Sequence, residues 1–295
     1  MCVVVTVGVC TKNSEKTIRQ SVESIVAQKY PAELIQLIVV DGCSKDNTLS
    51  IIKSIVSTAS VKTEIYSDGG KGLGTARQIV FKNAQGKYVI FVDSDVILFD
   101  DFIGNHVDYM EENPDIAVAS GMPVLKEGLL QEKTLIARLY DLVKCSADRT
   151  GAVACEATIY RFEDLRRVGG FDEKIKGAAE DRDLIARIRL EGLKISTNKK
   201  ARFFHKQREN VRSIWDELSW TGYGDHYYVH KHGNVALWRK FPAAEFIYFL
   251  KLTSGAYRQT RVRLSFIFLL PLIFGNIAWW AGFTRGHLNG YGHAP

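Results

Sequence analysis

The five cysteines of this chain, Cys2, Cys10, Cys43, Cys145 and Cys155, form no CxxC pair and no even framework. That pattern suggests neither a zinc site nor a secreted disulfide scaffold, and it fits a reducing cytosolic compartment. A basic n-region is also missing. The chain opens on MCVVVTVGVC and runs straight into a strand-like pattern, which argues against a cleaved signal peptide. No internal repeat occurs. The glycine-rich run DGGKGLGTAR at 68–77 is no Walker sequence, because Lys71 is not followed by Ser or Thr. It is no dinucleotide fingerprint either, since that belongs at the first βα turn, where this chain has CTKN.

What is present is enough apolar material for a large core: 46% of 295 residues, which predicts one sizeable globular domain with an appendage. Up to Asp95, apolar runs alternate with helical stretches. VVVTVGV, LIQLIVVD, TEIYSD and KYVIFVD are separated by helical patterns at 15–28, 47–58 and 74–83. This is the mark of successive βαβ crossovers and a mostly parallel sheet. Signals between 100 and 171 are weaker, with an amphipathic helix expected at 131–144 (Leu135, Ile136, Leu139, Leu142 and Val143 on one side) and another at 180–191.

Ligands of open α/β sheets collect at the carboxyl ends of the strands. Four strand ends here deliver polar groups: Thr11 and Asn13, Asp41, Asp68, and then Asp93 and Asp95 with Ser94 between them. Asp93 and Asp95 read either as an acidic turn or as an edge that holds a divalent cation and a phosphate. In the second reading Asp41 accepts from a base N–H, Asp93 faces ribose or metal, and Asp95 holds the metal. The glycine-rich loop then brings Lys71 or Arg77 to a diphosphate, or is a plain flexible loop. Asp46 or Asn47 caps the next helix.

The net charge of +6 is modest, but basic residues concentrate at 194–212 and 258–263. Such faces suit nucleic acid, anionic lipid or a phosphorylated substrate, or are ordinary solvated surface. Residues 264–284 carry no charge and reach about 30 Å as a helix, enough for a bilayer core. Trp279 and Trp280 near one end and Arg258, Arg261 and Arg263 on the other flank predict a membrane helix with the main domain on the cytoplasmic side. Residues 241–257 would lie along the membrane surface. A buried core helix is the alternative.

Five ordered segments, TVGVCTKN, VVDGCSKDNT, GTARQIVFKNAQGKYVIFVDSD, VGGFDE and AEDRDLIARIRLEG, give the chain over roughly residues 1–210 the look of a family 2 glycosyltransferase of GT-A fold. The resemblance implies a nucleotide-sugar donor bound by Asp41, Asp93 and Asp95 through Mg²⁺ or Mn²⁺, and inversion at the anomeric carbon. It matches the family's acid pair to Glu180 and Asp181, with Asp181 as general base, and sets His205 near the metal or diphosphate. Gly42 and Cys43 depart from the family's usual residues after Asp41 and leave base selectivity open. The processive tryptophan signature is absent, Trp220 being a loose echo, so transfer of a single sugar is expected.

The expected organisation is a catalytic domain at 1–210, a connector at 211–263, a membrane helix at 264–284 and a tail. The expected reaction carries one sugar to a hydroxyl of a lipid-linked or cell-surface glycan, with a membrane but no nucleic acid as partner. A polyprenyl-phosphate acceptor is the runner-up, and a non-catalytic nucleotide-sugar-binding scaffold is a rival from another class. A sugar-nucleotide pyrophosphorylase fits less well, because CTKNSEK offers no glycine-rich basic cradle.

Overall fold

The computed structural model of the chain describes residues 3–124, 155–206, 210–233 and 269–291, together with 247 and 250. Its N-terminal alternation folds as crossovers. Strands β1 (Val5–Thr11), β2 (Ile35–Asp41), β3 (Lys62–Ser67) and β4 (Tyr88–Asp93) are joined through α1 (Ile18–Val26), α2 (Thr48–Val56) and α3 (Leu73–Asn83). They lie parallel in the order β3-β2-β1-β4. β2 is buried along its whole length, which is why its sequence is almost continuously apolar. Alternate residues face two core layers: Leu37, Val39, Ile90 and Val92 pack on one side, Ile38, Val40, Val89 and Phe91 on the other. Each such side chain contributes about 1.5–3 kcal/mol by leaving water.

The sheet then departs from the mostly parallel expectation. β5 (Val96–Leu98), α4 (Phe102–Glu112), β6 (Ile116–Pro123), β7 (Ala157–Arg161), α5 (Phe162–Arg167), α6 (Glu180–Leu190) and β8 (Lys194–His205) follow, and the full order is β3-β2-β1-β4-β7-β6-β8-β5. β7 runs antiparallel to β4 and to β6, and β8 antiparallel to β5. The sheet is therefore mixed, because only the first four strands are strung on successive helical crossovers. Most of the basic run at 194–212 is β8, whose Lys194, Lys199, Lys200 and Arg202 are exposed while Asn198, Ala201 and Phe203 are buried. At the next helix start, Asp46 rather than Asn47 supplies the cap, accepting from the Thr48 amide at 3.1 Å.

Glycines decide one close approach. A Cβ at Gly74 would run into the carbonyl oxygens of Asp172 and Ile175, backbone atoms that cannot swing aside. Gly104, inside α4, has open space around it, the nearest atom being a Tyr30 ring carbon at 3.9 Å. Gly74→Ala should therefore cost about 1–3 kcal/mol, whereas Gly104→Ala should stabilise by about 0.5–1 kcal/mol through a stiffer unfolded chain. Urea midpoints of the two variants should move in opposite directions, and parallel shifts would contradict the packing.

By contacts the chain divides into two compact units: Met1–Lys126 with Arg149–Lys176 and Glu180–Lys206, and Glu127–Asp148 with Gly177–Ala179 and Gln207–Pro295. The second contains α7 (Val211–His232) and α8 (Leu269–Leu288). α7 starts on a capping box, with Asn210 Oδ1 accepting from the Ser213 amide at 2.9 Å. A Cβ at Gly222 would overlap the Trp279 carbonyl, and one at Gly282 that of Ser219, so the two helices touch backbone to backbone. Trp279 is buried and donates to Asp225 Oδ2 at 2.7 Å.

The expected membrane span at 264–284 finds no support here. Among the described residues no helix is long and apolar enough to cross a membrane. α8 starts at Leu269 and carries Arg285 and His287 in its last turn. Part of the apolar surface that suggested lipid contact is packing surface for α7. Residues 264–268, the arginines at 258, 261 and 263, the helix expected at 131–144 and nearly all of 241–257 lie outside the described residues.

Candidate functional site

Polar residues occur at both ends of the central strands, and only one end is left open. At the amino end, Thr6 and Gln36 sit in register. Thr6 Oγ1 donates to Gln36 Oε1 at 2.8 Å and accepts from the Gly86 amide, while Gln36 Nε2 donates to Glu64 at 2.9 Å. Further along the same pair, Thr11 faces Asp41. Both are buried, and Thr11 Oγ1 and Asp41 Oδ1 have no hydrogen-bond partner. Unpartnered buried polar atoms are costly to a fold, so a pair at the carboxyl edge marks where a ligand would supply partners. Asp41 Oδ2 accepts from the Ser44 amide at 3.0 Å, which orients the other oxygen.

Register continues this edge, with Asp41 opposite Ser67 and Cys10 opposite Asp93. Asp68 faces inward on the loop after β3. Its carboxylate accepts from the amides of Gly70 at 2.7 Å and Gly72 at 3.1 Å, so it shapes the glycine-rich loop. The loop turns at Gly69, Gly70 and Gly72, all with positive φ, and leaves Lys71 exposed. Asn13 is exposed, and its side chain accepts from the Lys45 amide at 2.8 Å, tying the first loop to the second. Ser94 Oγ lies 3.0 Å from Ser14 Oγ.

Arg77, one of the two cations expected near a diphosphate, is buried among carboxylates. It is 3% exposed, ion-paired through Nη1 to Glu180 and through Nη2 to Asp93 Oδ1 at 3.0 Å. Both ends of the guanidinium are thus engaged, and Arg77 joins β4 to α6. Glu180, buried with it, has its carboxyl pushed up to about 7 by burial, Arg77 pulling the other way. The neighbouring acids of α6 part company: Asp183 is buried and ion-paired to Arg187 at 2.8 Å. Asp181 is half-buried, accepts from the Arg182 amide at 2.7 Å and has no ion-pair partner among the described residues. Of the matched acid pair, then, Glu180 is ion-paired to Arg77 and Asp181 is not ion-paired among the described residues.

His205, at the end of β8, lies between two carboxylates. Its Nε2 is 3.3 Å from Asp95 Oδ1 and its Nδ1 is 2.9 Å from Glu156 Oε2. Burial alone would lower its pKa, but the two carboxylates outweigh that and raise it to about 10. Glu156 carried no signal in the sequence: it precedes a short strand in VACEATIYR, outside any motif. The structure brings it here because β7 pairs with β4, and the Glu156 carbonyl accepts from the Asp93 amide at 3.1 Å. Asp93 and Asp95 supply oxygen donors of the kind that Mg²⁺ or Mn²⁺ takes, while His205, held protonated between Asp95 and Glu156, would have to lose its proton to ligate beside them. Glu156 then stands as the outer partner that orients the histidine.

With this geometry in view, comparisons with known proteins are informative. Residues 6–169 match Glycosyl transferase family 2. The poly(ribitol-phosphate) beta-N-acetylglucosaminyltransferase TarS of Staphylococcus aureus is 31% identical over 103 residues, covering 35% of this chain and 18% of that protein. WfaP of Escherichia coli, a UDP-Glc:alpha-D-GlcNAc-diphosphoundecaprenol beta-1,3-glucosyltransferase, is 33% identical over 107 residues, covering 36% and 41%. The matched segments thus span well under two thirds of these relatives. The solved mannosyltransferase PcManGT of Pyrobaculum calidifontis, in complex with GDP-Man and Mn²⁺, superposes with a TM-score of 0.65 at 17% identity, covering 97% of this chain and 87% of that one. This likeness shows a shared α/β fold of GT-A type, a mixed sheet flanked by helices. Matched over more than half of its length, the chain belongs to glycosyl transferase family 2.

Proposed function

We propose that the chain transfers a single sugar, with inversion, from a nucleoside-diphosphate sugar to a hydroxyl of a lipid-linked or cell-surface glycan. The observation that carries this reading is the open pair Thr11 Oγ1 and Asp41 Oδ1, buried and unpartnered on the same edge as Asp93. A base with ring N–H groups would satisfy Asp41, and its diphosphate would extend toward Asp93, Asp95 and the exposed Lys71. Asp93, Asp95 and His205 would hold Mg²⁺ or Mn²⁺, which when bound neutralises charge on a departing diphosphate. Solved neighbours in complex with UDP-GlcNAc or with GDP-Man and Mn²⁺ support the donor class. Relatives named for transfer to poly(ribitol-phosphate) and to a diphosphoundecaprenol-linked sugar support the acceptor class.

In the reaction, Asp181 takes the proton of the acceptor hydroxyl as its oxygen bonds to the anomeric carbon and the bond to the diphosphate breaks. Arg77 holds Glu180 and Asp93 in place but touches neither proton nor leaving group. Attachment to a membrane, with the site facing the cytoplasm, is part of the proposal through a lipid-linked acceptor.

Asp41→Asn tests the carrying observation. The variant keeps an acceptor for the Ser44 amide but can replace Oδ1 with a group that cannot accept. Wild type with Mn²⁺ should show a thermal shift with nucleotides of one base, and the variant should bind that nucleotide about tenfold or more weakly, the worth of a charge-assisted hydrogen bond. A wild type that no nucleotide or nucleotide sugar stabilises, and that transfers from none, would instead be a scaffold.

A further inference from the structure

Three of the seven histidines in the chain come together in the unit that carries α7 and α8. His226 and His230 are one turn apart on α7, and His287 is in the last turn of α8. The reaction proposed above uses none of them. His226 is fully buried, and its Nδ1 lies against the carbonyl oxygen of Tyr291. A carbonyl only accepts, so Nδ1 carries the proton and Nε2 presents its lone pair.

That lone pair faces two nitrogens at once, His230 Nε2 at 3.2 Å and His287 Nδ1 at 3.3 Å. One ring nitrogen from each of the three histidines lies within 4.8 Å of the other two. One lone pair takes one N–H in line, so hydrogen bonding among neutral rings does not account for both approaches. A cation between them does. Tetrahedral zinc with bonds of about 2.0–2.1 Å holds its nitrogen ligands about 3.3 Å apart, the separation found at both pairs. The Tyr291 carbonyl behind His226 is the outer partner that a ligating histidine carries. Imidazole donors without a carboxylate suit zinc better than Mg²⁺ or Mn²⁺. His230 and His287 are exposed, so an ion could reach them from solvent.

We propose that His226, His230 and His287 form a zinc site that clips α7 to α8. The test uses the full chain with any affinity tag removed, stripped by chelator, loaded with Zn²⁺ and desalted, with bound zinc counted by elemental analysis. Wild type should retain a single equivalent and gain thermal stability from it, and Co²⁺ in its place should give the visible absorption of a tetrahedral site. Asp95→Asn should retain that equivalent, which separates this site from the carboxyl edge. His230→Ala with His287→Ala should lose both the zinc and the zinc-dependent shift. Should that pair of changes prevent folding, His287→Gln alone, at an exposed position, should weaken retention about tenfold or more. Absence of zinc from wild type, loss in Asp95→Asn, or unaltered affinity in the histidine variants overturns the site.

Discussion

Asp181→Asn should reduce sugar transfer about a hundredfold to ten-thousandfold, the range that a positioned general base contributes, while leaving nucleotide binding unchanged. Asparagine keeps the shape of the side chain and its acceptor for the Arg182 amide, so the start of α6 should be intact. It cannot take a proton. The selectivity of the effect rests on geometry: Glu180 and Asp183 beside it are each ion-paired to an arginine, and Asp181 is ion-paired to none of the described residues. Turnover and donor affinity measured on the same preparation decide the matter. Near-normal transfer would remove the hydroxyl-acceptor mechanism in favour of an acceptor that is already an anion, such as a polyprenyl phosphate.

Arg77→Met should destabilise the fold by about 3–5 kcal/mol, because removing one partner of a buried ion pair leaves the other charge uncompensated. Methionine roughly keeps the volume, so the loss reports charge and not a cavity. Glu180 is 2% exposed and has no other cation among the described residues with which to pair. Adding Glu180→Gln should recover much of the loss, since a neutral buried amide is cheaper than an unpaired carboxylate. The pH dependence has a definite sign. Burial raises the Glu180 carboxyl from 4.5 to about 7, so the folded state binds its proton more tightly than the unfolded chain does. Stability from this group is present below about 4.5 and is lost as pH rises through about 7. The Arg77→Met penalty should accordingly be smaller near pH 5 than near pH 8, and an equal penalty at both would contradict burial of the charge. Urea unfolding at the two pH values measures it.

These results also explain why some site residues were legible in the sequence and others were not. Asp41, Asp93 and Asp95 stand at the ends of apolar runs whose periodicity predicts parallel strands, and strand ends share one edge by geometry. Glu156 stands before a short strand whose partner could not be known, so nothing local distinguished it from any surface glutamate. Arg77 was legible as a cation near the site but not in its role. A guanidinium in a glycine-rich stretch suits an anion, and which anion depends on α6 arriving beside it. The apolar run at 264–284 is ambiguous for the same reason: an apolar helix reads alike whether lipid or another helix covers it, and Gly222 and Gly282 show their purpose only when α7 and α8 meet.

The sequence by itself determined the crossover half of the sheet, the acidic carboxyl edge and the loop that follows β3. Those features follow from hydrophobic period, turn chemistry and chain direction, which act over a few residues. Only the tertiary structure decided the antiparallel entry of β7, the placing of Glu156 behind His205, the pairing of Glu180 and Asp183 with arginines, and the meeting of three histidines. Each of these depends on which distant segments become neighbours, and charge pairing and ligand geometry are properties of neighbours in space.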